Sequence, residues 1–174
     1  DNERFKSGYL NKFPGYYFSG DGGYKDAEDY IYITGRVDDV INVAGHRLST
    51  AEMEEIVASH HSVAECAVIG INDELKGQIP LALVVAKSGE DIEHFQLQHE
   101  VVQLVREQIG AVASLRDVVI VQRLPKTRSG KILRKMMRSI ADGEQFQIPS
   151  TIDDEAIIDE IRAVLSQAKI GCFK

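Results

Sequence analysis

Two apolar runs near the middle of the chain limit the folds that the sequence can adopt. Residues 64–71 and 81–86 have the composition and length of buried strands, and a polar segment that includes Lys76, Gly77 and Gln78 is predicted to be a loop between them. Apolar residues at 40–43 and 118–121 predict further strands. A sheet of such strands needs helices packed against it to bury its apolar side chains.

Three segments outside residues 123–138 have the apolar spacing of amphipathic helices. Ser49 and Glu52 form a capping-box pattern at the start of the first. The second occupies residues 97–109, and Thr151 is predicted to cap the third. The order of elements after Val40 therefore predicts an α+β fold, a small mixed sheet with packed helices.

The N-terminal part of the chain has a different composition, rich in aromatic residues and glycine. Residues 16–18 and 30–33 are predicted to be short strands joined by a polar loop. Because an isolated hairpin is marginally stable, we expect this β segment to belong to a larger N-terminal domain. We expect residues 1–37 to be the end of that domain and residues 38–174 to form a C-terminal domain. The chain has no initiator methionine or targeting segment, so we interpret it as a fragment.

The bulk composition excludes several classes of protein. A net charge of −7 argues against a general nucleic-acid binder and gives no support to a membrane-surface role. No apolar run has the length of a membrane span. The only cysteines are Cys66 and Cys172, a number and placement that fit a reducing compartment. We expect a cytoplasmic protein, with the mitochondrial matrix as the alternative if a transit peptide is missing.

One segment is strongly basic although the chain as a whole is acidic. Residues 123–138 contain seven lysines and arginines and no acidic residue. Ser129 and Gly130 predict a flexible turn, and Lys131 is predicted to open an amphipathic helix directly after it. A lysine in that position is well placed to reach a phosphate. On composition alone, the alternative is a solvated basic loop or a weak nucleic-acid patch.

Two further motifs precede the basic segment. In the first, Asp21 follows a predicted strand between two glycines, where its carboxylate can accept hydrogen bonds from a ribose diol. An ordinary Gly-Asp-Gly turn is the alternative. The second motif, at residues 35–48, carries Arg36 and Arg47 with two glycines ahead of the capped helix. Packing alone does not explain that arrangement.

In this order and at these separations, the three motifs resemble those of the adenylate-forming enzymes, which convert a carboxylate and ATP into an acyl-adenylate. Residues 40–47, 75–78 and 151–154 look most like the propionyl-CoA branch of the AMP-forming short-chain acyl-CoA synthetases. The resemblance implies ATP, CoA and Mg²⁺ as cofactors and propionate or a similar short carboxylate as substrate. An acetyl-CoA synthetase is the alternative within the family. A stand-alone binding or regulatory module, possibly acylated at Lys131, is the alternative of another class.

The resemblance also implies which residues act when the acyl-adenylate forms, the first of the two half-reactions of these enzymes. Asp21 and Arg36 match residues that contact the ribose, and Arg47 matches one that contacts phosphate. Lys131 matches the catalytic lysine, whose charge offsets the repulsion between carboxylate and phosphate oxygens. Asp38 matches the hinge about which the small domain turns, or Asp39 if the register slips.

Other matches concern CoA. Gly45 matches a residue that lines the pantetheine tunnel, and Ala44 stands where the acetate branch has a serine that touches CoA. Arg106 matches an arginine that contacts a CoA phosphate, although a solvent-facing helix residue is the alternative.

A magnesium site is implied as well. His60 matches a metal-binding histidine, with carbonyl oxygens from Ala58 and Val63 completing the site. A surface histidine without a metal is the alternative.

Overall fold

The computed structural model describes residues 2–37, 39–89 and 92–174, without the side chain of Arg4. The predicted hinge residue Asp38 lies outside this part of the chain. The structure divides into two compact units, Asp1–Val40 and Ile41–Lys174.

The smaller unit contains one helical segment and one hairpin. Helix α1 (Asn2–Phe5) continues into a π-helical turn at Lys6–Leu10, and strands β1 (Asp21–Lys25) and β2 (Ile31–Arg36) pair in antiparallel fashion. The strand predicted at residues 16–18 is wrong. The Tyr17 ring stacks on the Tyr9 ring with centroids 5.2 Å apart, and the Phe18 N–H donates to the Tyr9 carbonyl at 2.8 Å. These local contacts take the place of a strand partner.

The larger unit is built on a five-stranded sheet in which β6 is central. Its strands are β3 (Val40–Val43), β4 (His46–Ser49), β5 (Val63–Asp73), β6 (Gly77–Ala86) and β7 (Asp117–Ile120). Strand β5 pairs antiparallel with β6 along its whole length. On the other edge of β6, β3 pairs at Gly77 and β7 runs parallel over residues 81–84. The sheet is therefore mixed, as predicted.

Helices cover both faces of this sheet because alternate strand residues point to opposite sides. The helices are α2 (Thr50–Ala58), α3 (His94–Gln108), α4 (Arg134–Asp142) and α5 (Ile157–Ala168), with short 3₁₀ turns at Ala111–Ala113 and Gly171–Phe173. Ile69 and Leu81 pack in one core with residues of α4 and α5, whereas Val68 and Ala82 pack in the other with residues of α2 and α3. The predicted α+β fold is confirmed.

No helix in the described part of the chain combines the length and apolar character that a membrane span requires.

The predicted ends of the helices and strands are only partly correct. The Ser49 cap is confirmed, since its Oγ accepts the Glu52 N–H at 3.3 Å. Gly77 and Gln78 belong to β6 and not to a loop. The helix predicted to open at Lys131 begins at Arg134.

The predicted Thr151 cap is also wrong, because α5 begins at Ile157. The Thr151 carbonyl instead accepts the Arg128 N–H at 2.9 Å, and the next residue, Ile152, is buried in the core.

Candidate functional site

Lys131 lies at the end of a tight hairpin. The Thr127 N–H donates to the Lys131 carbonyl at 2.9 Å, and the Gly130 N–H donates to the Thr127 carbonyl at 2.8 Å. Gly130 has a φ of 84°, which suits the left-handed position of a three-residue hairpin loop. Lys131 itself is exposed and forms no ion pair with any described residue. Its ammonium group is therefore presented to solvent on an ordered loop.

The hairpin is held on two sides. Lys126, at its base, forms an ion pair with Glu65 of β5 at 2.6 Å. On the outer side, the Arg128 N–H donates to the Thr151 carbonyl at 2.9 Å, and the Asp153 N–H donates to the Lys126 carbonyl at 3.0 Å. This pairing explains why residues 151–153 do not start a helix.

Other cations of the basic segment have structural partners. Arg123 binds Glu160 at 2.6 Å and Asp154 at 2.8 Å. The hydrogen bond from Arg123 lowers the pKa of Glu160. Arg134 forms a bidentate pair with Glu54 at 2.7 and 2.8 Å. The exposed cations of the segment that have no ion pair within the described residues are Arg128, Lys131 and Lys135.

The second predicted site surrounds a two-residue turn between β3 and β4. Ala44 and Gly45 have φ angles of 50° and 89°, so both residues adopt the left-handed region, as in a type I′ hairpin. The Ala44 N–H donates to the Lys76 carbonyl at 2.8 Å, and the Gly45 N–H donates to Asn42 Oδ1 at 3.0 Å. A Cβ added at Gly45 would meet no atom of this chain within 4 Å. Arg47, two residues further on, is exposed and unpaired among the described residues.

The two hairpins lie near opposite ends of strand β6. The Gly45 turn is attached at Lys76, next to Gly77, where β6 begins. The Lys131 hairpin is attached at Glu65, which is paired with Val85 near the other end of β6. A strand rises about 3.3 Å per residue, so the stretch of β6 from Gly77 to Val85 is roughly 26 Å long.

Arg106, the third CoA-related prediction, lines a cleft beside the Gly45 turn. The cleft has a volume of about 290 Å³ and lies between the end of α3 and the segment that leads to β7. Lys76 and Arg116 also line it, and Lys76 Nζ donates to Ser114 Oγ at 2.8 Å. Lys76 therefore connects the cleft to the turn, because its carbonyl accepts the Ala44 N–H.

Asp21 and Arg36 come together in the smaller unit. They face each other across β1 and β2, with 3.5 Å between Arg36 Nη1 and Asp21 Oδ1. Arg36 also donates to the Ser19 carbonyl at 2.8 Å. A Cβ added at Gly20 would lie 2.7 Å from Arg36 Nη2, so this glycine leaves room for the guanidinium. The Asp21 carboxylate keeps 38% of its side-chain surface exposed and is accessible to a ligand.

Both ring nitrogens of His60, the predicted magnesium ligand, contact other residues of the chain. Its Nδ1 accepts the Ser62 N–H at 3.2 Å, and its Nε2 lies 2.8 Å from Glu100 Oε2. Since Nδ1 acts as an acceptor, the ring proton belongs on Nε2, where it donates to Glu100. Within the described residues, no group of three or more His, Cys, Asp or Glu side chains is arranged to hold a metal ion.

Three residues that lie beside these candidate sites were not predicted. Lys76 lies in the segment 75–78, where the sequence indicated only a family branch and a loop. No sequence motif around Arg116 indicated a role for this residue. Glu65 is separated from Lys126 by 61 positions, too far for any pattern along the chain to connect them.

Comparison with known proteins finds a family model and several relatives that match this chain. Residues 52–131 match the model of the AMP-binding enzyme C-terminal domain. A Pseudomonas aeruginosa protein is 61% identical over 171 residues, which cover 98% of this chain and 27% of that protein. The mouse mitochondrial acyl-CoA synthetase short-chain family member 3 is 49% identical over 168 residues, covering 97% of this chain and 25% of that protein. The chain corresponds to a C-terminal portion of the adenylate-forming superfamily.

A further relative and two solved structures are also similar to this chain. The acetyl-coenzyme A synthetase of Bdellovibrio bacteriovorus is 47% identical over 163 residues, covering 92% of this chain and 25% of that enzyme. ATP-bound MatB from Rhodopseudomonas palustris superposes with a TM-score of 0.65 at 27% identity, covering 79% of this chain and 26% of that one. The amide bond synthetase McbA from Marinactinospora thermotolerans gives a TM-score of 0.64 at 29% identity, covering 80% and 27%. The chain thus spans about a quarter of the length of the curated relatives it matches.

Proposed function

We propose that this chain is the C-terminal part of an ATP-dependent, AMP-forming short-chain acyl-CoA synthetase. In the proposed reaction, a carboxylate attacks the α-phosphorus of ATP, pyrophosphate leaves, and an acyl-adenylate forms. The thiolate of CoA then attacks the acyl carbon and AMP leaves. Residues 1–37 would end the adenylation domain, and residues 38–174 would form the mobile domain.

The observation that supports this proposal most is the separation of the Lys131 and Gly45 hairpins. Both belong to one folded unit, yet their attachment points lie near opposite ends of β6. A unit of this kind cannot bring both loops to the same reacting group in one orientation. Two successive half-reactions that each use one loop would require the unit to turn between them. We assign the hinge for that movement to Asp38, with Asp39 as the alternative.

The first half-reaction brings two anions together and builds charge on the phosphate oxygens. A positioned cation reduces that repulsion, and an ordered lysine with no competing carboxylate is suited to the task. We assign this role to Lys131. In the same proposal, Arg47 contacts phosphate, and the Asp21 carboxylate accepts hydrogen bonds from the ribose beside Arg36.

The second half-reaction needs space for the thiol arm and cations for the phosphates of CoA. A Gly45 Cβ would meet nothing in this chain, so the turn leaves an open surface along which pantetheine could pass. The backbone of Ala44 and the guanidinium of Arg106 would contact the rest of CoA. Lys131 is not needed when the thiolate attacks, because the adenylate is already formed.

We propose propionate or a similar short carboxylate as the substrate. The motifs at residues 40–47, 75–78 and 151–154 support this choice. Acetate is the second candidate, supported by 47% identity to a protein named acetyl-coenzyme A synthetase.

The test is AMP release by the full-length protein with acetate, propionate and butyrate, each with ATP, Mg²⁺ and CoA. We expect the highest kcat/KM for propionate. A preference for acetate would contradict the substrate assignment alone, whereas no AMP with any of the three would contradict the proposed activity. In that case a binding or regulatory module would be the better explanation.

The proposed location is the cytoplasm. The mouse relative is named as mitochondrial, so fractionation of cells that express the full-length protein should compare these two compartments.

A further inference from the structure

Leu75 is a large apolar side chain that the larger unit leaves in solvent. It is 94% exposed, and the other exposed large apolar side chains described in this unit are those of Phe95, Val112 and Ile148, at 37–79%. Because burial of a leucine is favourable, the fold of its own unit does not use this side chain. Single exposed apolar residues are common on protein surfaces, so the place and the support of Leu75 decide whether it has a function.

The turn that carries Leu75 has a defined conformation. It connects β5 to β6, and Asp73 Oδ1 accepts the Leu75 N–H at 3.1 Å and the Lys76 N–H at 2.8 Å. Gly77 closes the turn with a φ of 78° and is paired with Asp73. The hydrogen bond from the Lys76 N–H is the main cause that lowers the pKa of Asp73, so this carboxylate is ionised at neutral pH. The leucine is therefore presented on an ordered turn.

Backbone contacts join this turn to the Gly45 turn. The Ala44 N–H donates to the carbonyl of Lys76, which follows Leu75 directly in the chain, at 2.8 Å. Strand β3, which leads into the Gly45 turn, is paired with β6 at Gly77. Leu75 and the Gly45 turn therefore lie beside each other at the same end of the sheet.

The proposed reaction indicates what covers this end of the sheet. For acyl transfer, the Gly45 turn must approach the acyl-adenylate, which the adenylation domain holds. A surface of that domain then lies against the turn, and Leu75 is next to it. The chain spans about a quarter of the length of its curated relatives, so the full-length protein has ample sequence for such a domain.

We propose that Leu75 packs into an apolar pocket of the adenylation domain during acyl transfer and stabilises the orientation in which the Gly45 turn faces the adenylate, here called the docked orientation. In the orientation that presents Lys131 instead, the leucine stays in solvent. Since burial of a leucine changes an equilibrium constant by about tenfold or more, this one contact shifts the balance between the two orientations. The inference rests on the proposed function, because the partner surface belongs to the domain that holds the acyl-adenylate.

The test compares Leu75→Ser, Leu75→Met and Phe95→Ser in the full-length protein. We expect Leu75→Ser to slow acyl transfer from a supplied acyl-adenylate about tenfold, with pyrophosphate exchange and the melting temperature at their wild-type values. Leu75→Met keeps an apolar side chain of similar size and should retain acyl transfer. Phe95→Ser is the matched control, because it removes another exposed apolar side chain, near the start of α3, and should leave both half-reactions unchanged.

A labelling experiment identifies what covers position 75. A maleimide is reacted with full-length Leu75→Cys, without CoA, in the presence and absence of a sulfamoyl analogue of the acyl-adenylate, and peptide mass spectrometry gives the rate at this position. We expect the analogue to slow labelling about tenfold, because it favours the docked orientation. The thiol of Phe95→Cys should react at the same rate in both conditions. Protection at position 75 that appears only after CoA is added would contradict docking, because the coenzyme would then be the cover.

The remaining outcomes separate this inference from the proposed function. If the wild type releases AMP, an unchanged transfer rate in Leu75→Ser or an unchanged labelling rate with the analogue would overturn the docking contact and leave the proposed function intact. A Leu75→Ser variant that melts at a lower temperature and slows both half-reactions would show a structural role in place of docking. In a protein that releases no AMP, slower labelling with the analogue would support docking and contradict the proposed function, whereas an unchanged labelling rate would contradict both.

Discussion

Lys126 Nζ lies 2.6 Å from Glu65 Oε1, and this ion pair fastens the hairpin that carries Lys131 to strand β5. The Glu65 side chain keeps 45% of its surface exposed, so solvent screens the pair and its contribution to stability is small, about 0–1 kcal/mol. We expect its main effect to be on the direction of the loop.

Glu65→Gln should therefore slow acyl-adenylate formation by about tenfold while leaving acyl transfer from a supplied acyl-adenylate unchanged. The melting temperature should stay close to that of the wild type. Asp159→Asn is the control, because it removes another exposed ion pair, to Arg162, away from the hairpin. Equal rates in Glu65→Gln and the wild type would show that the ion pair does not position Lys131.

Glu54 connects three elements that lie far apart in the sequence. Its carboxylate accepts two hydrogen bonds from Arg134 of α4 and one from the Val68 N–H on the edge strand β5, at 2.7 to 2.8 Å. Glu54→Ala leaves a partly buried guanidinium and a strand N–H without this acceptor. We expect the free energy of unfolding to fall by about 2–4 kcal/mol.

The measurement is urea unfolding with Glu55→Ala as the control, since Glu55 is an exposed neighbour on the same helix. That control should change the unfolding free energy by less than about 0.5 kcal/mol. Similar values for the two variants would contradict the structural role of Glu54.

Patterns along the chain predicted the framework well. The apolar runs at 64–71 and 81–86 became β5 and β6, and the Ser49 cap began α2, because these features depend on neighbouring residues. What the sequence did not reveal depends on contacts between distant segments. The Arg134–Glu54 pair joins residues 80 positions apart, so nothing local distinguished Arg134 from the free cations around it.

The same limit explains the errors at element ends. Lys131 has a helical pattern after it, yet its backbone pairs with Thr127 instead. Thr151 resembles a cap, but its carbonyl accepts a hydrogen bond from the Lys131 hairpin. The contact of His60 with Glu100, 40 positions away, likewise has no signal along the chain, and the predicted magnesium site stays a prediction.

The two cysteines should differ sharply in reactivity. Burial, followed by the Glu54 carboxylate, raises the pKa of Cys66 to about 11, whereas Cys172 is exposed. At pH 8 a thiol with that pKa is about 0.1% thiolate, and the thiolate is the reactive form. Iodoacetamide labelling followed by peptide mass spectrometry should modify Cys172 first and Cys66 only after denaturation. Equal labelling of both in the native protein would contradict the partial burial and raised pKa of Cys66.

Substitutions at Gly45 should separate backbone strain from side-chain bulk. Gly45→Ala and Gly45→Leu both place a Cβ at a φ of 89°, and neither Cβ meets an atom of this chain. Both should therefore lose a similar amount of stability, about 1 kcal/mol, in thermal unfolding. Acyl-CoA formation should fall further for Leu than for Ala, because only Leu fills the space along the turn. The same loss of thioester formation in both variants would indicate that strain alone is responsible.

The central claim is that the Lys131 and Gly45 hairpins serve different half-reactions. Its most direct test measures pyrophosphate exchange and acyl transfer from a supplied acyl-adenylate in Lys131→Ala and Gly45→Leu of the full-length protein. Lys135→Ala is the control for Lys131, because it removes an exposed cation from the same segment. We expect Lys131→Ala to lose about 10²-fold or more in exchange and to keep transfer. Gly45→Leu should keep exchange and lose about 10²-fold in transfer. If each variant slowed both half-reactions to the same degree, the assignment of the two hairpins to different half-reactions would be wrong.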